Sequence, residues 1–330
     1  MLNLAFCGFR HEHINGLYMQ AMENPDVNVV AAFEEDETAR KAATEAIGVK
    51  FTHERYEDLL ADPTIDAVAI GDYFGIRGSR AIAALKAGKH VIVDKPLCTS
   101  LKELEKIEKL AREKGLKVGC MLDLRLSAWV EPVRSFIFAG NLGEIHQIFF
   151  SAQHPLNWGT RPGWYFEAGK HGGTINDIGI HGIDIIPYIT GLKFRKVTAA
   201  RQWNAYARLA PKFMDSAQFM YELDNGCGVM ADVSYAAPSS TGFRLPQYWR
   251  FTIWGEKGVI ECGNNTTPQC TIALDGGNGP VALDLPEKDD RKILDFFLAD
   301  LAAAPTALNT ATVIESARAA LTIQAAADRG

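Results

Sequence analysis

Two segments of the sequence carry ionisable side chains at spacings suited to proton transfer. In the first segment, Lys95 stands before Pro96 at the end of the apolar run His90–Val93. Proline holds the preceding residue in extended backbone and so fixes where the lysine side chain points; a prolyl bond also permits the cis form. A lysine ammonium in such a place stabilises negative charge that develops on a substrate oxygen.

The second segment is Gly172–Asp184, in which Asp177, His181 and Asp184 follow one another at intervals of four and three residues. On a helix, this spacing puts the three side chains on one face. A carboxylate one turn from an imidazole orients the ring and raises its basicity. The pattern therefore favours acid–base chemistry with His181 as the base, while the choice of proton acceptor between His181 and Lys95 stays open.

The first 122 residues alternate short apolar runs with helical patterns, which is typical of a parallel sheet covered on both faces. One helix is predicted over Ser79–Ala87, and Ser100 with Glu103 predicts a capping box at the start of another. Doubly wound, Rossmann-type sheets bind ligands at the carboxyl ends of their strands, which is where Lys95 lies. Strands are predicted at 2–8, 27–33, 66–70, 90–93 and 118–122.

A nucleotide-binding turn is expected between the first strand and the first helix. A dinucleotide fingerprint would place glycines at 8, 10 and 13, and only Gly8 is present. The start of the helix still suits a diphosphate. Glu34 follows the second strand, where a carboxylate binds an adenosine ribose and repels a 2′-phosphate, which favours NAD over NADP. The residues predicted to bind the cofactor are Gly8, Phe9, Arg10, His11, His13, Glu34, Asp72, Tyr73, Asp94, Lys95 and Pro96.

The second half of the chain changes character. Alternating and aromatic-rich runs, separated by turns such as Asp224-Asn225-Gly226, predict an α+β domain with one large, open, mainly antiparallel sheet. We therefore expect a dinucleotide-binding domain over 1–122 and a substrate-binding and oligomerisation domain over 123–330, with the closing helices packed back on the first domain. Open sheets need covering, so the exposed face of this sheet is expected to be an oligomer surface.

Polar and aromatic side chains near the second segment are candidates for the substrate side. Rings beside hydrogen-bonding groups suit a polyhydroxylated ring, although loop packing alone would also explain them. Arg125 and Arg161 would instead hold a carboxylate or phosphate, so a sugar acid fits as well. The residues predicted to bind substrate are Lys95, Asp123, Arg125, Trp158, Arg161, Trp164, Tyr165, Asp177 and His181, with Asn157, Lys170 and His171 as further candidates.

The composition limits the class of protein. Lys+Arg 34 against Asp+Glu 40 gives a net charge of −6, which argues against a general nucleic-acid binder. No run approaches the ~20 apolar residues that span a bilayer, and the opening residues do not read as a signal peptide. The six cysteines form no C-x-x-C pair, so neither a zinc site nor a disulfide framework is expected. We expect a cytoplasmic protein with a small-molecule partner and no metal, nucleic-acid or membrane partner.

The chain resembles the Gfo/Idh/MocA family of NAD(P)-dependent oxidoreductases over essentially its whole length. The resemblance implies a Rossmann domain followed by an open-sheet domain, and sugars, inositols and related polyols as substrates. It also implies a catalytic set of Lys95, Asp177 and His181, and dimers or tetramers formed through the open sheet. The motifs that carry it are A-G-K-H-V-I-V-D-K-P at 87–96, G-G-T-I-N-D-I-G-I-H-G-I-D at 172–184, and Phe213-Met-Asp-Ser-Ala-Gln ahead of Asp224-Asn-Gly.

The sequence departs from the family pattern around the expected cofactor. Asp94 stands where the family has glutamate, and Arg10 and His13 stand at two fingerprint glycines. After the third strand, Asp72-Tyr73-Phe74 and Arg77 replace the family's T-P-N and histidine. These changes are compatible with a cofactor that stays bound. A net dehydrogenase is therefore expected, with a redox-neutral enzyme (hydrolysis, elimination or epimerisation through a transient keto intermediate) and a non-catalytic NAD or sugar sensor as alternatives.

Overall fold

The computed structural model of the protein describes residues 1–246, 248–286 and 290–329. The chain forms two compact units. The first unit consists of 1–121, 169–172 and 291–318, and the second of the described residues within 122–168, 173–290 and 319–330. No helix in the described ranges is long and apolar enough to cross a membrane.

A parallel sheet forms the centre of the first unit. Its strands in chain order are β1 (Leu2–Cys7), β2 (Val27–Phe33), β3 (Ala67–Ile70), β4 (His90–Val93) and β5 (Val118–Cys120). Among the described residues they lie side by side in the order β2-β1-β3-β4-β5, so the winding reverses between β1 and β3. The predicted Rossmann-type, doubly wound sheet is confirmed.

The helix after β3 differs from the prediction. It begins at Phe74 and not at Ser79. The propensity of Gly75 and Gly78 argues against a helix here. Both glycines are present because neighbouring groups approach too closely to leave room for a side chain. A Cβ at Gly75 would lie 2.1 Å from the carbonyl oxygen of Gly169, and one at Gly78 would lie 2.5 Å from the carboxylate of Glu103.

The helices are α1 (His13–Glu23), α2 (Glu37–Ile47), α3 (Tyr56–Ala61), α4 (Phe74–Lys86), α5 (Leu101–Lys114), α6 (Val130–Phe138), α7 (Ile180–Thr190), α8 (Ile293–Leu301) and α9 (Thr310–Ala327).

The predicted capping box at the start of α5 is wrong. Ser100 precedes the helix but its side chain makes no capping hydrogen bond. The carboxylate of Glu103 instead accepts the backbone N–H of Thr99 and is half-buried, which raises its pKa. The contact with Gly78 of α4 explains this position, because packing between the two helices draws the carboxylate inward.

A second sheet forms the centre of the second unit, and the predicted large, mainly antiparallel sheet is confirmed. Its strands are β6 (Ile145–Pro155), β7 (Phe194–Trp203), β8 (Ser216–Leu223), β9 (Gly228–Ala237), β10 (Arg250–Gly255), β11 (Gly258–Gly263), β12 (Cys270–Leu274) and β13 (Val281–Ala282). The described strands lie in the order β13-β12-β11-β10-β6-β9-β8-β7, and of these pairs β6 and β9 run parallel. One face packs on α7, where a Cβ at Gly182 would lie 2.3 Å from the ring of Phe150.

Candidate functional site

The turn after β1 packs directly against the turn after β3. Gly8 has a φ of +82°, and a Cβ there would lie 2.6 Å from the backbone nitrogen of Asp72. The backbone N–H of His11 donates to the carbonyl of Gly71 at 3.2 Å, which joins the two turns. Glycine is therefore required at position 8, because any side chain would push the turns apart.

Glu34 lies after β2 and has no exposed surface. Its carboxylate accepts the backbone N–H of Phe9 at 2.5 Å and that of Asp36 at 2.8 Å. The Nε of Arg10 lies 3.4 Å from the same carboxylate. The predicted ribose-binding carboxylate thus stands at the expected strand end, and Arg10 covers it.

Arg10 takes part in a cluster of alternating charges at this edge. Its guanidinium lies 3.1 Å from Glu35 and 3.4 Å from Asp72, and 5.2 Å from the ring centre of Tyr73. Arg80 pairs with the same two carboxylates, at 3.0 Å from Glu35 and 3.9 Å from Asp72. The side chain at the second fingerprint position is therefore bound by the protein's own acidic groups.

Replacing Asp72 by asparagine is expected to stabilise the protein at alkaline pH. Burial and the charge of Glu34 raise the pKa of Asp72 from 3.8 to about 6, although Arg10 opposes this. The folded state therefore favours the protonated acid. The stability that this protonation contributes is complete below pH 3.8 and is lost as the pH rises through 6. We expect Asp72→Asn to raise the free energy of unfolding at pH 8 by up to ~3 kcal/mol, shrinking below ~1 kcal/mol near pH 4.

Urea unfolding at pH 8 and at pH 4 measures this difference. Glu37→Gln, on the exposed side of α2, is the matched neutralisation and should change little at either pH. If Asp72→Asn is no more stable than the unsubstituted protein at pH 8, the ion pairs of Asp72 stabilise the fold by at least as much as the burial of its charge costs.

Asp94 follows β4 and is completely buried. Its carboxylate accepts the Nη2 of Arg77 at 3.0 Å and makes a short contact with the Nδ1 of His11. Burial raises the pKa of Asp94, but its contacts with His11 and Arg77 more than reverse this, so the pKa lies well below its usual range. Burial lowers the pKa of His11 to about 4. At neutral pH the pair is thus a carboxylate and a neutral imidazole.

Arg77 fixes the backbone that leads into the Lys-Pro motif. It is fully buried and donates to the carbonyl of Asp72 at 2.7 Å, that of Asp94 at 2.9 Å, and that of Lys95. Lys95 is 2% exposed, and its Nζ lies 5.5 Å from the ring centre of Phe74. The bond between Lys95 and the following proline is cis.

His11, His13 and Asp94 place one potential metal-ligating atom each within 4.8 Å of one another. Two imidazoles and a carboxylate are a common ligand set for transition metals. Here, however, Arg77 already neutralises the carboxylate at 3.0 Å, and the charge of Lys95 acts on His11. A divalent cation would meet two further cations, so the electrostatics favour a hydrogen-bonded pair over a metal centre.

The segment 169–172 packs against the start of α4 within the first unit. The backbone N–H of Gly75 donates to the carbonyl of Lys170 at 2.8 Å. The Nζ of Lys170 lies 5.0 Å from the ring centre of Tyr73, and the ring of His171 lies 5.4 Å from that of Phe74. Lys170 and His171 therefore join the edge of the first unit that carries Lys95.

This edge fits a dinucleotide in its main features. The first turn of α1 carries no acidic residue, and among the described residues no group accepts the backbone N–H of Glu12 or His13. These donors suit a diphosphate. Glu34 stands at the strand end where the adenosine ribose is expected, but its carboxylate is buried and bound by the backbone and Arg10. The residues that would hold the nucleotide are therefore present, with Arg10 as an added element.

In the second unit, a π-helical turn at Ile175–Gly179 carries Asp177 and leads into α7, which carries His181. The sequence spacing had indicated a continuous helix. Gln324 accepts the backbone N–H of Ile175 at 3.1 Å and so anchors the turn. Single π-turns are frequent at functional sites, because they displace side chains from regular helical positions.

Asp177 and His181 are both buried, and each has a neighbour that sequence spacing did not indicate. The hydroxyl of Tyr235 donates to the carboxylate of Asp177 in a short hydrogen bond. Burial and the charge of Asp177 raise the pKa of Tyr235, so the phenol stays protonated. The Nδ1 of His181 lies 3.7 Å from a carboxylate oxygen of the half-exposed Asp123.

Asp184 and Arg125 form a buried ion pair. The Nη2 of Arg125 lies 2.6 Å and its Nε 2.7 Å from the two carboxylate oxygens of Asp184. The guanidinium also lies 4.6 Å from the ring centre of Tyr188. The charge of Arg125 is therefore matched by Asp184. This ion pair joins α7 to the 123–126 segment.

The other predicted substrate-side residues form a small aromatic group. The rings of Trp164 and Tyr165 stack at 4.1 Å, and the guanidinium of Arg161 lies 4.6 Å from the ring centre of Tyr165. Arg161 also donates to the carbonyls of residues 155 and 156. Trp158 is 45% exposed and contacts Phe166.

Sequence reasoning missed an aromatic cluster beside His181. The ring of Trp249 lies 5.1 Å from that of His181 and 6.0 Å from that of His154. Tyr248 lies 5.3 Å from His154, and Tyr235 lies 6.0 Å from it. Local patterns gave no signal, because these residues come from β6, β9 and the segment before β10, and only strand pairing brings them together.

The third family motif has a structural role. Asp215 is fully buried, and its carboxylate accepts the backbone N–H groups of Ala205, Tyr206 and Ala207 at 2.9, 2.7 and 2.6 Å. It therefore holds the 204–215 loop in place. All six cysteines are buried and reduced.

The first unit has the architecture of a dinucleotide-binding domain, and comparison with known proteins identifies its class. Residues 2–121 match the oxidoreductase family with an NAD-binding Rossmann fold, and residues 130–261 match the GFO/IDH/MocA C-terminal domain. The chain belongs to the Gfo/Idh/MocA family of oxidoreductases. The predicted family is confirmed.

Curated relatives and solved structures agree with this family. The chain is 31% identical to 1,5-anhydro-D-fructose reductase of Ensifer adhaerens over 136 residues, 40% of each protein. It is 29% identical to scyllo-inositol 2-dehydrogenase (NAD(+)) of Bacillus subtilis (strain 168), over 71% of this chain and 65% of that enzyme. Its fold matches that of a levoglucosan dehydrogenase in complex with NADH and levoglucosan with a TM-score of 0.80, at 19% identity over 99% of this chain and 97% of that one. The chain thus aligns with less than two thirds of the length of both curated relatives.

Proposed function

We propose that the protein is an NAD-dependent dehydrogenase that oxidises a secondary alcohol of a sugar, inositol or sugar-acid-like substrate. The observation that carries the proposal is the burial and hydrogen bonding of the predicted catalytic residues. Lys95 is held at the end of β4 by a buried network, and Asp177 and His181 are buried at a π-turn with acidic and phenolic neighbours. A sensor would not need a lysine, an aspartate and a histidine of this catalytic set together, which speaks against that alternative.

Each of these residues has a distinct role in the proposed reaction. An alcohol that becomes a ketone loses a proton from oxygen and a hydride from carbon. A bound nicotinamide ring supplies the hydride acceptor. His181 takes the hydroxyl proton, and a carboxylate oxygen of Asp123 lies 3.7 Å from its Nδ1. Lys95 stabilises negative charge that develops on a substrate oxygen. Asp177, fixed by Tyr235, orients the reacting group.

The preference for NAD rests on Glu34. A 2′-phosphate would approach this buried carboxylate and the adjacent Glu35, and charge repulsion would oppose it. Arg10 offsets part of this charge. We propose that the two adjacent glutamates still select NAD, so that NADH should bind more tightly than NADPH when the two affinities are compared.

One assay tests the function as a whole. NADH fluorescence is followed at near-stoichiometric enzyme over a panel of sugars, inositols and sugar acids with added NAD, and the same protein is denatured and assayed for released nucleotide. Sustained NADH formation with one compound supports the dehydrogenase and indicates the substrate class. Absence of both bound and reduced nucleotide, with no dinucleotide binding, would reject the proposal.

A redox-neutral enzyme is the second candidate. Arg10 covers Glu34 and is held by Glu35 and Asp72, so exchange of a bound nucleotide requires this cluster to rearrange. Slow exchange suits an enzyme that returns the hydride to its own product. Nucleotide released on denaturation, together with a product that shows no net oxidation, would favour this alternative.

We also propose that the protein assembles through the open face of the second sheet. Met220 pairs with Met230 across β8 and β9, and Phe149 pairs with Met230 across β6 and β9. Met220 and Met230 are 45% and 50% exposed, and Trp254 of β10 is 40% exposed. Large apolar side chains grouped on the exposed face of an open sheet are typical of a protein–protein interface.

Replacing Met230 by lysine is therefore expected to dissociate the assembly. Size exclusion with light scattering should give a dimer or tetramer for the unsubstituted protein and a 36.2 kDa monomer for Met230→Lys. Met22→Lys, on the exposed side of α1, is the control and should keep the native mass. A monomeric unsubstituted protein would reject the assembly, and an assembled Met230→Lys protein would place its interface elsewhere.

A further inference from the structure

Two arginines of the second unit are candidates to hold an acidic group of the substrate, and the structure distinguishes them. Arg125 is matched by the carboxylate of Asp184 through two hydrogen bonds. For Arg161, no carboxylate oxygen of the described residues lies within 4.0 Å of its side-chain nitrogens. We infer that Arg161 binds a carboxylate group of the substrate, so that the substrate is a sugar acid. The inference deepens the proposed function and rests on the dehydrogenase activity stated there.

The contacts of Arg161 leave one edge of its guanidinium for a ligand. Its Nε donates to the carbonyl of Leu156 at 2.9 Å, and its Nη2 donates to that of Pro155 at 2.6 Å. These bonds use the side of the planar fork that contains Nε. Among the described residues, no group accepts the N–H groups of Nη1. The edge formed by Nη1 and Nη2 can therefore bind both oxygens of a carboxylate.

The turn that carries Arg161 holds the side chain in place before a ligand arrives. The carbonyl of Asn157 accepts the backbone N–H groups of Thr160 and Arg161 at 3.0 and 2.9 Å. The backbone N–H of Asn157 donates to the hydroxyl of Ser239 at 3.2 Å, which joins the turn to the segment after β9. A guanidinium fixed in this way loses less side-chain entropy when it binds an anion.

Aromatic side chains connect Arg161 to Asp177. The guanidinium carbon lies 4.6 Å from the ring centre of Tyr165 and 5.0 Å from that of Tyr235. The hydroxyl of Tyr235 donates to the carboxylate of Asp177, so one side chain links the cation to a predicted catalytic residue. Burial and the charge of Asp177 raise the pKa of Tyr235, so its phenol adds no negative charge beside Arg161. A substrate that reaches both Arg161 and Asp177 needs only the size of a monosaccharide.

The single charge of Arg161 favours a carboxylate over a phosphate ester. A carboxylate carries one negative charge, and its two oxygens match the available edge of the guanidinium. A phosphate ester carries about −1.5 to −2 charges at pH 7, and one guanidinium leaves part of this charge unmatched. The substrate class is therefore a sugar acid such as a uronate or an aldonate.

Matched pairs of acids and neutral compounds test the inference. Calorimetry measures affinities of the full chain saturated with NADH, so that no oxidation occurs during the titration. The pairs are D-glucuronate with D-glucose, D-galacturonate with D-galactose, and D-gluconate with D-glucitol. At least one acid should bind about ten-fold or more tightly than its neutral partner, because a hydrogen bond to a charged group contributes about this factor. D-glucose 6-phosphate should bind more weakly than D-glucuronate.

Two substitutions assign this preference to one side chain. Arg161→Met removes the guanidinium, so the affinity for the preferred acid should fall about ten-fold or more, and that for its neutral partner about two-fold or less. Arg134→Met is the matched control, because Arg134 of α6 also lies against two rings of the second unit. Its guanidinium carbon is 4.2 Å from the ring centre of Phe138 and 5.0 Å from that of Tyr188. This variant should keep both affinities.

The outcomes separate this inference from the proposed function. If no acid binds more tightly than its neutral partner, or if Arg161→Met weakens both equally, the role of Arg161 is overturned even where a neutral sugar or inositol is oxidised. Tighter binding of glucose 6-phosphate than of glucuronate would overturn the choice of a carboxylate. A protein that binds an acid through Arg161 but forms no NADH with it counts against the proposed dehydrogenase and not against the acid site.

A second variant applies if Arg161→Met does not fold, as its thermal melt would reveal. Arg161→Lys keeps the positive charge, but an ammonium cannot bind two backbone carbonyls and both oxygens of a carboxylate in the geometry of the guanidinium fork. Its preference for the acid should be lower than that of the unsubstituted protein. An unchanged preference would again overturn the inference.

Discussion

Replacing His181 or Lys95 by alanine is expected to reduce turnover by ~10²-fold or more, which is the largest change in activity that we predict. His181→Ala removes the group that takes the hydroxyl proton, and Lys95→Ala removes the cation that stabilises charge on the oxygen. Neither residue lies beside Glu34, where the adenosine ribose is expected to bind. Both variants should therefore bind NADH nearly as tightly as the unsubstituted protein. Steady-state turnover with the substrate found in the panel, and fluorescence titration with NADH, measure the two effects.

Two surface substitutions provide the controls. His146 lies on an exposed position of β6, and Lys86 lies exposed at the end of α4. His146→Ala and Lys86→Ala remove the same side-chain types and should keep full turnover. Unchanged turnover in His181→Ala or Lys95→Ala would remove that residue from the catalytic set. A parallel loss of NADH binding would point to a general defect in the nucleotide edge instead.

The pH dependence of turnover separates the two roles further. A base such as His181 must be neutral to accept a proton, so turnover should fall on the acid side of the profile. A variant that lacks the base should lose this acid limb, whereas Lys95→Ala should retain it. The comparison therefore distinguishes the proton acceptor from the residue that stabilises charge.

The largest expected effect on stability follows from Asp94. Arg77 is fully buried and its charge is matched by this carboxylate at 3.0 Å. Asp94→Asn leaves the guanidinium buried without an ionised partner, and breaking a buried pair in this way typically costs about 3–5 kcal/mol. We expect a loss of this order in the free energy of unfolding, measured with urea at pH 7.

A double substitution shows whether this loss comes from the unmatched charge. Asp94→Asn with Arg77→Met removes the guanidinium together with its partner, so the loss of stability should be smaller than the sum of the losses in the two single variants. Glu45→Gln breaks an exposed ion pair with Lys41 and should change stability by less than ~1 kcal/mol. If Asp94→Asn is as stable as Glu45→Gln, the buried pair does not contribute as the structure indicates.

Local sequence patterns were sufficient for the architecture. Strands such as Ala67–Ile70 are continuously apolar because both faces of a parallel sheet are buried, and this property is visible in a few neighbouring residues. The position of Lys95 at a strand end and the place of Asp177 and His181 near a helix start also follow from short-range spacing. Their catalytic roles remain predictions, as do the substrate and the preference for NAD.

Contacts between distant residues required the tertiary structure. The partners of Asp94, Asp177 and Glu34 include His11, Tyr235 and Arg10, which lie 83, 58 and 24 residues away along the chain. No periodicity encodes such pairings, because they depend on which strand ends and turns the fold brings side by side.

The start of α4 at Phe74 also depends on tertiary packing that local propensity does not predict. Propensity argues against a helix through Gly75 and Gly78, yet close packing requires glycine at both positions. Local patterns predicted the two sheets, their places along the chain and the residues with reactive groups. Only the tertiary structure determined the charge, hydrogen-bond partners and burial of those groups, because these properties arise from long-range packing.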